Sequence, residues 1–184
     1  MLIKSGEISK IAFMPIKATR NNDTSSVFHD DRVSRMVNYI MKGGRKELAR
    51  NLMEQCFEKI KRIQIERYHK AKTEQEKEKI ILSPITILHN AIENVRPVLM
   101  TMPVKRGGVK YQVPIPISDK MSYYRACKWL VEASREHERK VHLPEKMAYE
   151  LLDAANNSGR VVKRKQDLHR LCEANRAYAH YRWT

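Results

Sequence analysis

Cysteine, glycine, acidic charge and long apolar runs are all scarce in this chain. Its three cysteines, Cys56, Cys127 and Cys172, lie far apart in 184 residues and form no C-x-x-C pair. That spacing offers no zinc ribbon, and the odd count speaks against a disulfide scaffold. Each sits among apolar residues of a helical pattern, which predicts reduced core cysteine. No apolar run reaches the roughly eighteen residues of a membrane-spanning helix, so no membrane partner is expected. The opening MLIKSGEISKIAFMPIK shows neither a signal peptide nor an Arg-rich amphipathic transit pattern, and a processed or trimmed N-terminus would read the same. The seven histidines fall into no H-x-x-x-H or H-E-x-x-H spacing. P-loop, G-x-S-x-G and dinucleotide fingerprints are missing too. His29-Asp30-Asp31 reads as a helix cap, and His169 and His180 as part of a polar helix face with Glu173 and Arg176. No catalytic residue, metal site or cofactor is assigned, and an enzyme is the least favoured reading.

What is abundant is positive charge. Thirty-six Lys and Arg against twenty-one Asp and Glu leave a net charge of +15 and a pI near 9.9. Solubility does not require such an excess. A field of this sign attracts polyanions, and nucleic acid becomes the leading partner class. With 42% apolar and 31% charged residues the chain has the balance of a globular protein with a real core.

Periodicity predicts a mainly α, single-domain protein of six helices with a protruding two-stranded β-hairpin arm. Residues 1–29 lack sustained periodicity and read as a flexible leader, with Lys17 and Arg20 in its polar stretch. The helical domain spans 30–184. Asp30 caps a first helix with Val33, Met36, Val37, Ile40 and Met41 on one face, and Gly43-Gly44 ends it. A second helix carries a stripe of Leu48, Leu52, Cys56, Ile60 and Ile63 and runs to about Tyr68. The insertion 69–82 is charged nearly throughout and has no face to bury, so it reads as a solvated extension. Ser83 and Pro84 restart structure, with Ile85, Leu88, Ile92 and Val95 as the third stripe.

Residues 98–117 form the arm. Val98, Met100, Met102 and Val104, then Val109, Tyr111, Val113, Ile115 and Ile117, alternate with other residues in a period of two. Gly107-Gly108 between them suits a tight turn. Ser118 opens a fourth helix bearing Tyr123, Cys127, Leu130 and Val131, and Pro144 a fifth bearing Met147, Leu151 and Leu152, with Gly159 after its end. The sixth runs from about Lys165 to Tyr181, with Leu168, Leu171, Cys172, Asn175, Tyr178 and Ala179 inward.

The cations gather in three places besides the leader. Lys42, Arg45, Lys46 and Arg50 surround the turn between the first two helices, where free backbone N–H groups favour phosphate. Lys105, Arg106 and Lys110 flank Gly107 and Gly108 at the hairpin tip, where a basic ribbon can lie across a phosphate backbone. Lys163, Arg164, Lys165, Arg170, Arg176 and Arg182 follow near the C-terminus, where Arg160 to Thr184 holds seven cations and two acids. Tyr178, Tyr181 and Trp183 are interleaved there as stacking groups, with Tyr178 expected to pack on the body. Trp129 is expected in the core or a groove wall. Scattered basic surfaces without helix-turn-helix, zinc-finger or heptad signatures favour RNA, recognised by shape.

The stretches VKRGGVKYQVPIPI, ACKWLVEASRE, NYIMKGGRKELAR and ELLDAANNSGRVVKRKQDLHRLCEANRAYAHYRW closely resemble the small-subunit ribosomal protein seven family. The resemblance runs from about Asp30 to Trp183, broken at 69–82. It implies a structural constituent of the small ribosomal subunit that binds the 3′ major domain of small-subunit rRNA and nucleates head assembly. It implies further that the hairpin lies near the exit-site tRNA and that other small-subunit proteins are neighbours. It leaves mRNA as a candidate partner as well, although the chain ends one residue after Trp183 and the contact of a longer tail is not assumed. The leader and the insertion resemble the mitochondrial branch, which implies a place in the mitochondrial ribosome. A free-standing RNA chaperone is the alternative.

Overall fold

The computed structural model describes residues 18, 24–136 and 140–183. Residues up to Asp30 form a unit of their own, in which the His29 N–H donates to the Ser26 carbonyl at 3.2 Å. Lys17 and Arg20 lie outside the described residues. The body begins at Asp31.

Among the described residues the body holds seven α-helices, a two-stranded sheet and a closing 3-10 segment. In chain order these are α1 (Asp31–Ile40), α2 (Lys46–Lys70), α3 (Glu74–Glu78), α4 (Pro84–Val95), β1 (Leu99–Arg106) and β2 (Val109–Pro116). Then come α5 (Asp119–Arg135), α6 (Leu143–Ala155), α7 (Gly159–Ala174) and the 3-10 segment Arg176–Trp183. The mainly helical architecture with one hairpin is the expected one, but the helix count exceeds the predicted six. The addition is α3, a turn and a half of helix within the 69–82 insertion that buries none of its residues. Its Glu-rich sequence has helix propensity without an apolar face. Gln64, buried on α2, donates to the Ile81 carbonyl at 3.0 Å and ties the end of the insertion to the body.

At the centre lies α6, which packs against α2, α4, α5 and α7. Its Met147, Ala148, Leu151, Leu152 and Ala154 are buried, and they meet Met53, Cys56 and Ile60 of α2, Leu88, Ala91 and Ile92 of α4 and Leu130 of α5 in one core. Two expected stripes are displaced. On α2 the buried row is Ala49, Met53, Cys56, Ile60 and Gln64, leaving Leu48 53% exposed. Two apolar rows run side by side down this helix, and packing on α6 selects the row containing the smaller Ala49. On α4, Ile87 is buried and Ile85 stays partly exposed.

The largest correction concerns the last helix, which begins at Gly159 and not near Lys165, and ends at Ala174. Its buried residues are Val161, Val162 and Cys172, whereas Leu171 faces outward. The early start follows from how α6 ends. Asn157 adopts a φ of 54°, and the Ser158 N–H and hydroxyl both donate to the Asp153 carbonyl at 2.9 Å. The Asn94 side-chain amide donates to the Ala154 and Ala155 carbonyls at 3.0 and 2.8 Å. With the last carbonyls of α6 satisfied, the chain reverses at once.

Gly159 makes that reversal possible. Its φ is +87°, and a Cβ there would stand 3.0 Å from the Asp153 Cβ. Gly159→Ala is expected to destabilise the protein by about 1–3 kcal/mol, from the left-handed backbone and the clash together. Urea unfolding monitored by far-UV circular dichroism measures it; an unchanged midpoint would show that the turn relaxes freely.

Candidate nucleic-acid interface

The turn between α1 and α2 is compact because Gly43 and Gly44 take φ values of 58° and 75° in succession. The Arg45 N–H donates to the Lys42 carbonyl at 3.2 Å and the Lys46 N–H to the Gly44 carbonyl at 2.8 Å. No side chain caps the start of α2. Lys42, Arg45 and Arg50 are exposed around this turn, while Lys46 is half-buried. Arg135, which the sequence did not single out, joins them from the end of α5. Its guanidinium donates to the Ile40 carbonyl at 3.2 Å, at the last residue of α1.

The hairpin is antiparallel, with Leu99 opposite Pro116 and Arg106 opposite Val109. Its last backbone bond runs from the Ile117 N–H to the Val98 carbonyl at 3.1 Å, just beyond the paired strands. Gly107 and Gly108, at φ 54° and 85°, make the two-residue turn. Lys105 and Lys110 stand directly opposite each other at the tip. Like charges facing across a strand pair repel, so this arrangement costs the free protein and suits an anionic partner.

The arm is not free along its whole length. Val113 is fully buried, and the Tyr111 ring packs tilted against Tyr178 at 5.0 Å and edge-on against Tyr181 at 5.3 Å between ring centroids. The Arg106 guanidinium lies over the Tyr181 ring at 4.9 Å. Tyr178, expected on the body, is half-buried and packs on the arm together with Tyr181, whereas Trp183 is 75% exposed with Arg182 over its ring at 4.2 Å. At the arm's base the Val98 N–H donates to His169 Nε2 at 3.1 Å. That bond requires the neutral ring, and burial, with Lys165 nearby, pulls the His169 pKa below its ordinary value of 6.5. His169 therefore belongs to the arm's attachment and not to a free polar face. The sequence signals for this clamp were the period-two placement of Tyr111 with Val113 and the tyrosines of the last segment.

The C-terminal cations divide by environment. Lys163 and Arg176 are exposed. Arg164 pairs with Glu132 at 2.8 Å and covers the buried Trp129 ring at 5.2 Å. The Lys165 ammonium donates to the Asn94 carbonyl at 2.6 Å, which turns it toward α4. Arg170 faces Asp167 at 3.7 Å, a loose surface pair. Carboxylates elsewhere are similarly engaged, as in Arg32–Glu93, Lys59–Glu145 and Arg96–Asp119. Among the described residues, Lys42, Arg45, Arg50, Lys105, Lys110, Lys163 and Arg176 enter no ion pair with a carboxylate. Cations without a carboxylate partner thus stand at both Gly-Gly turns, at Lys163 on α7 and at Arg176 just beyond its end. Cys56 and Cys127 are buried, and burial pushes their thiols up to about 12 and about 11, which keeps them protonated.

The basic α1–α2 turn, the hairpin tip and the exposed Lys163 and Arg176 each present charge suited to a polyanion. The sequence profile described as ribosomal protein S7p/S5e matches residues 10–176. The chain belongs to the ribosomal protein S7p/S5e family. Among its S7p/S5e relatives, the small ribosomal subunit protein uS7m of Drosophila melanogaster is 55% identical over 183 residues, spanning 100% of this chain and 83% of that protein. The uS7m of Gallus gallus is 46% identical over 94% of this chain and 74% of its own length. The bacterial uS7 of Caldicellulosiruptor saccharolyticus is 38% identical over 85% of this chain and 90% of its own. This member of the S7p/S5e family therefore stands nearer those uS7m proteins than that bacterial one.

Two expectations follow from the clamp. Tyr181→Ala should loosen the arm and leave the helical core intact. Faster amide exchange in β1 and β2, with unchanged exchange in α4 and α6, is the expected hydrogen-exchange result; uniform acceleration would show that the segment supports the whole body. For His169 the folded pKa lies below the unfolded one, so the unfolded chain binds more protons. Its contribution is complete above pH 6.5 and declines as pH falls below that value. Thermal unfolding at pH 7.5 and 5.5 should show this decline reduced in His169→Gln; equal pH dependence in both proteins would remove His169 as its source.

Proposed function

We propose that this chain is a structural constituent of the mitochondrial small ribosomal subunit, binding rRNA by charge and shape without chemistry of its own. The family and the uS7m relatives support the subunit and the compartment. The single observation that carries the RNA contact is the pair of basic Gly-Gly turns, where Lys42, Arg45, Arg50, Lys105 and Lys110 enter no ion pair with a carboxylate among the described residues. The α1–α2 turn and the outer face of α7 grip the 3′ major domain of small-subunit rRNA and help nucleate the head. Lys42, Arg45, Lys46, Arg50, Lys163, Arg170 and Arg176 serve that contact; Arg164 and Lys165 chiefly hold α7 to the body. The hairpin tip, with Lys105, Arg106, Gly107, Gly108 and Lys110, faces the exit-site tRNA. Arg182, on the exposed Trp183, adds a stacking corner beside it. Neighbouring small-subunit proteins complete the set of partners.

Backbone neutralisation releases counterions, so affinity should fall about a thousandfold or more between roughly 50 and 200 mM salt if six or more phosphates are engaged. Lys46→Glu with Arg50→Glu should abolish incorporation into particles. Lys105→Ala with Lys110→Ala should leave incorporation intact and weaken exit-site tRNA retention. Sucrose-gradient sedimentation and tRNA footprinting separate the two; equal assembly defects from both pairs would refute this division of labour.

A further inference from the structure

Leu48 was expected in the core and is not there. It stands 53% exposed over a cavity of about 470 Å³, walled by the end of α1, the start of α2, Arg135 of α5 and Leu143 of α6. The floor is apolar, with Ile40 and Ala49 buried and Leu52 and Leu143 half-buried; Leu48 stands at its open side, the exposed rim is Lys42, Arg45 and Arg135, and no carboxylate lines it. Arg135 is held in place by the carbonyls of Ile40 and Tyr39 at 3.2 and 3.4 Å through one terminal nitrogen, which leaves its other N–H groups for an anion. A Cβ at Gly43 or Gly44 would have nothing within 4 Å, so the rim is open on that side.

Cations around an apolar floor differ from a plain phosphate contact. A regular RNA backbone would engage the rim and leave three leucines wet. A nucleotide turned out of its helix satisfies both parts, with its base on the leucines and its phosphate among Lys42, Arg45 and Arg135. The volume lies within the roughly 300–1,000 Å³ of small-ligand clefts, and unstacked bases are what proteins read in folded RNA. We infer that this cavity receives one unstacked nucleotide of the bound RNA. The inference rests on the RNA-binding reading above and adds to it a feature that phosphate charge does not supply, recognition of an unpaired position.

The test uses the full chain and a transcript of the 3′ major domain of small-subunit rRNA. Because Leu48 is largely solvent-exposed, Leu48→Asn should fold normally, and Leu48→Met serves as the conservative control. Leu48→Asn is expected to lose about tenfold in affinity, as for removal of one base-stacking contact, with the salt slope unchanged. One unpaired nucleotide protected from chemical probing by the wild type should become reactive, and Leu48→Met should restore its protection. Arg45→Ala should instead lower the salt slope by about one. Unchanged affinity and footprint for Leu48→Asn, beside a steep wild-type salt slope, would overturn the nucleotide pocket alone. A wild type with no salt-sensitive binding would remove the RNA reading and the pocket with it. Intact RNA affinity with altered protein crosslinks in the particle would assign the cavity to a peptide and equally overturn it.

Discussion

The burial of α6 is the constraint on which the rest of the body depends. Four helices pack around its thirteen residues, so nearly every turn of it meets apolar side chains. Each buried leucine or methionine contributes about 1.5–3 kcal/mol. The one acid on that helix drawn inside, Glu150, is held by Arg160 at 2.8 Å and Lys146 at 3.2 Å. Arg160 also bonds the Ala133 carbonyl, so the same guanidinium joins α6, α7 and α5. A buried carboxylate without such partners would be strongly destabilising. Because α6 takes the centre, α1, α2, α4, α5 and α7 each need only one apolar face, and their other faces are left to charge.

That geometry explains how so basic a chain folds without neutralising itself. Ion pairs use the carboxylates on helix flanks, where the gain per pair is small. Of the cations that remain, Lys42, Arg45, Lys105 and Lys110 sit at the two Gly-Gly turns. Repulsion there is relieved by solvent in the free protein and by phosphate in a complex. Lys105 facing Lys110 is the sharpest instance, a local cost placed at the end of an arm.

The arm itself is an assembly of two distant pieces of chain. Alone, a two-stranded hairpin is marginally stable in water. Here the Tyr111, Tyr178 and Tyr181 rings and the His169 bond brace it, so the tip's direction depends on the last residues of the sequence. The fold thereby couples the arm's orientation to the basic C-terminal segment.

The existence of most helices, the Gly-Gly turns, the two alternating strands of the hairpin and the basic clusters were legible in the sequence, because each depends on residues close together in the chain. Local sequence also announced the family through its motifs. Tertiary packing decided what local patterns leave degenerate: which of two apolar rows on α2 turns inward, that Leu48 borders a cavity, and that α7 begins at Gly159. It also decided which cations are spent. Lys165 and Arg164 look like Lys163 and Arg170 in sequence, yet Asn94 and Glu132, 71 and 32 residues away, engage them. A side chain's charge is set by its own chemistry, but its availability is set by what the fold brings within reach.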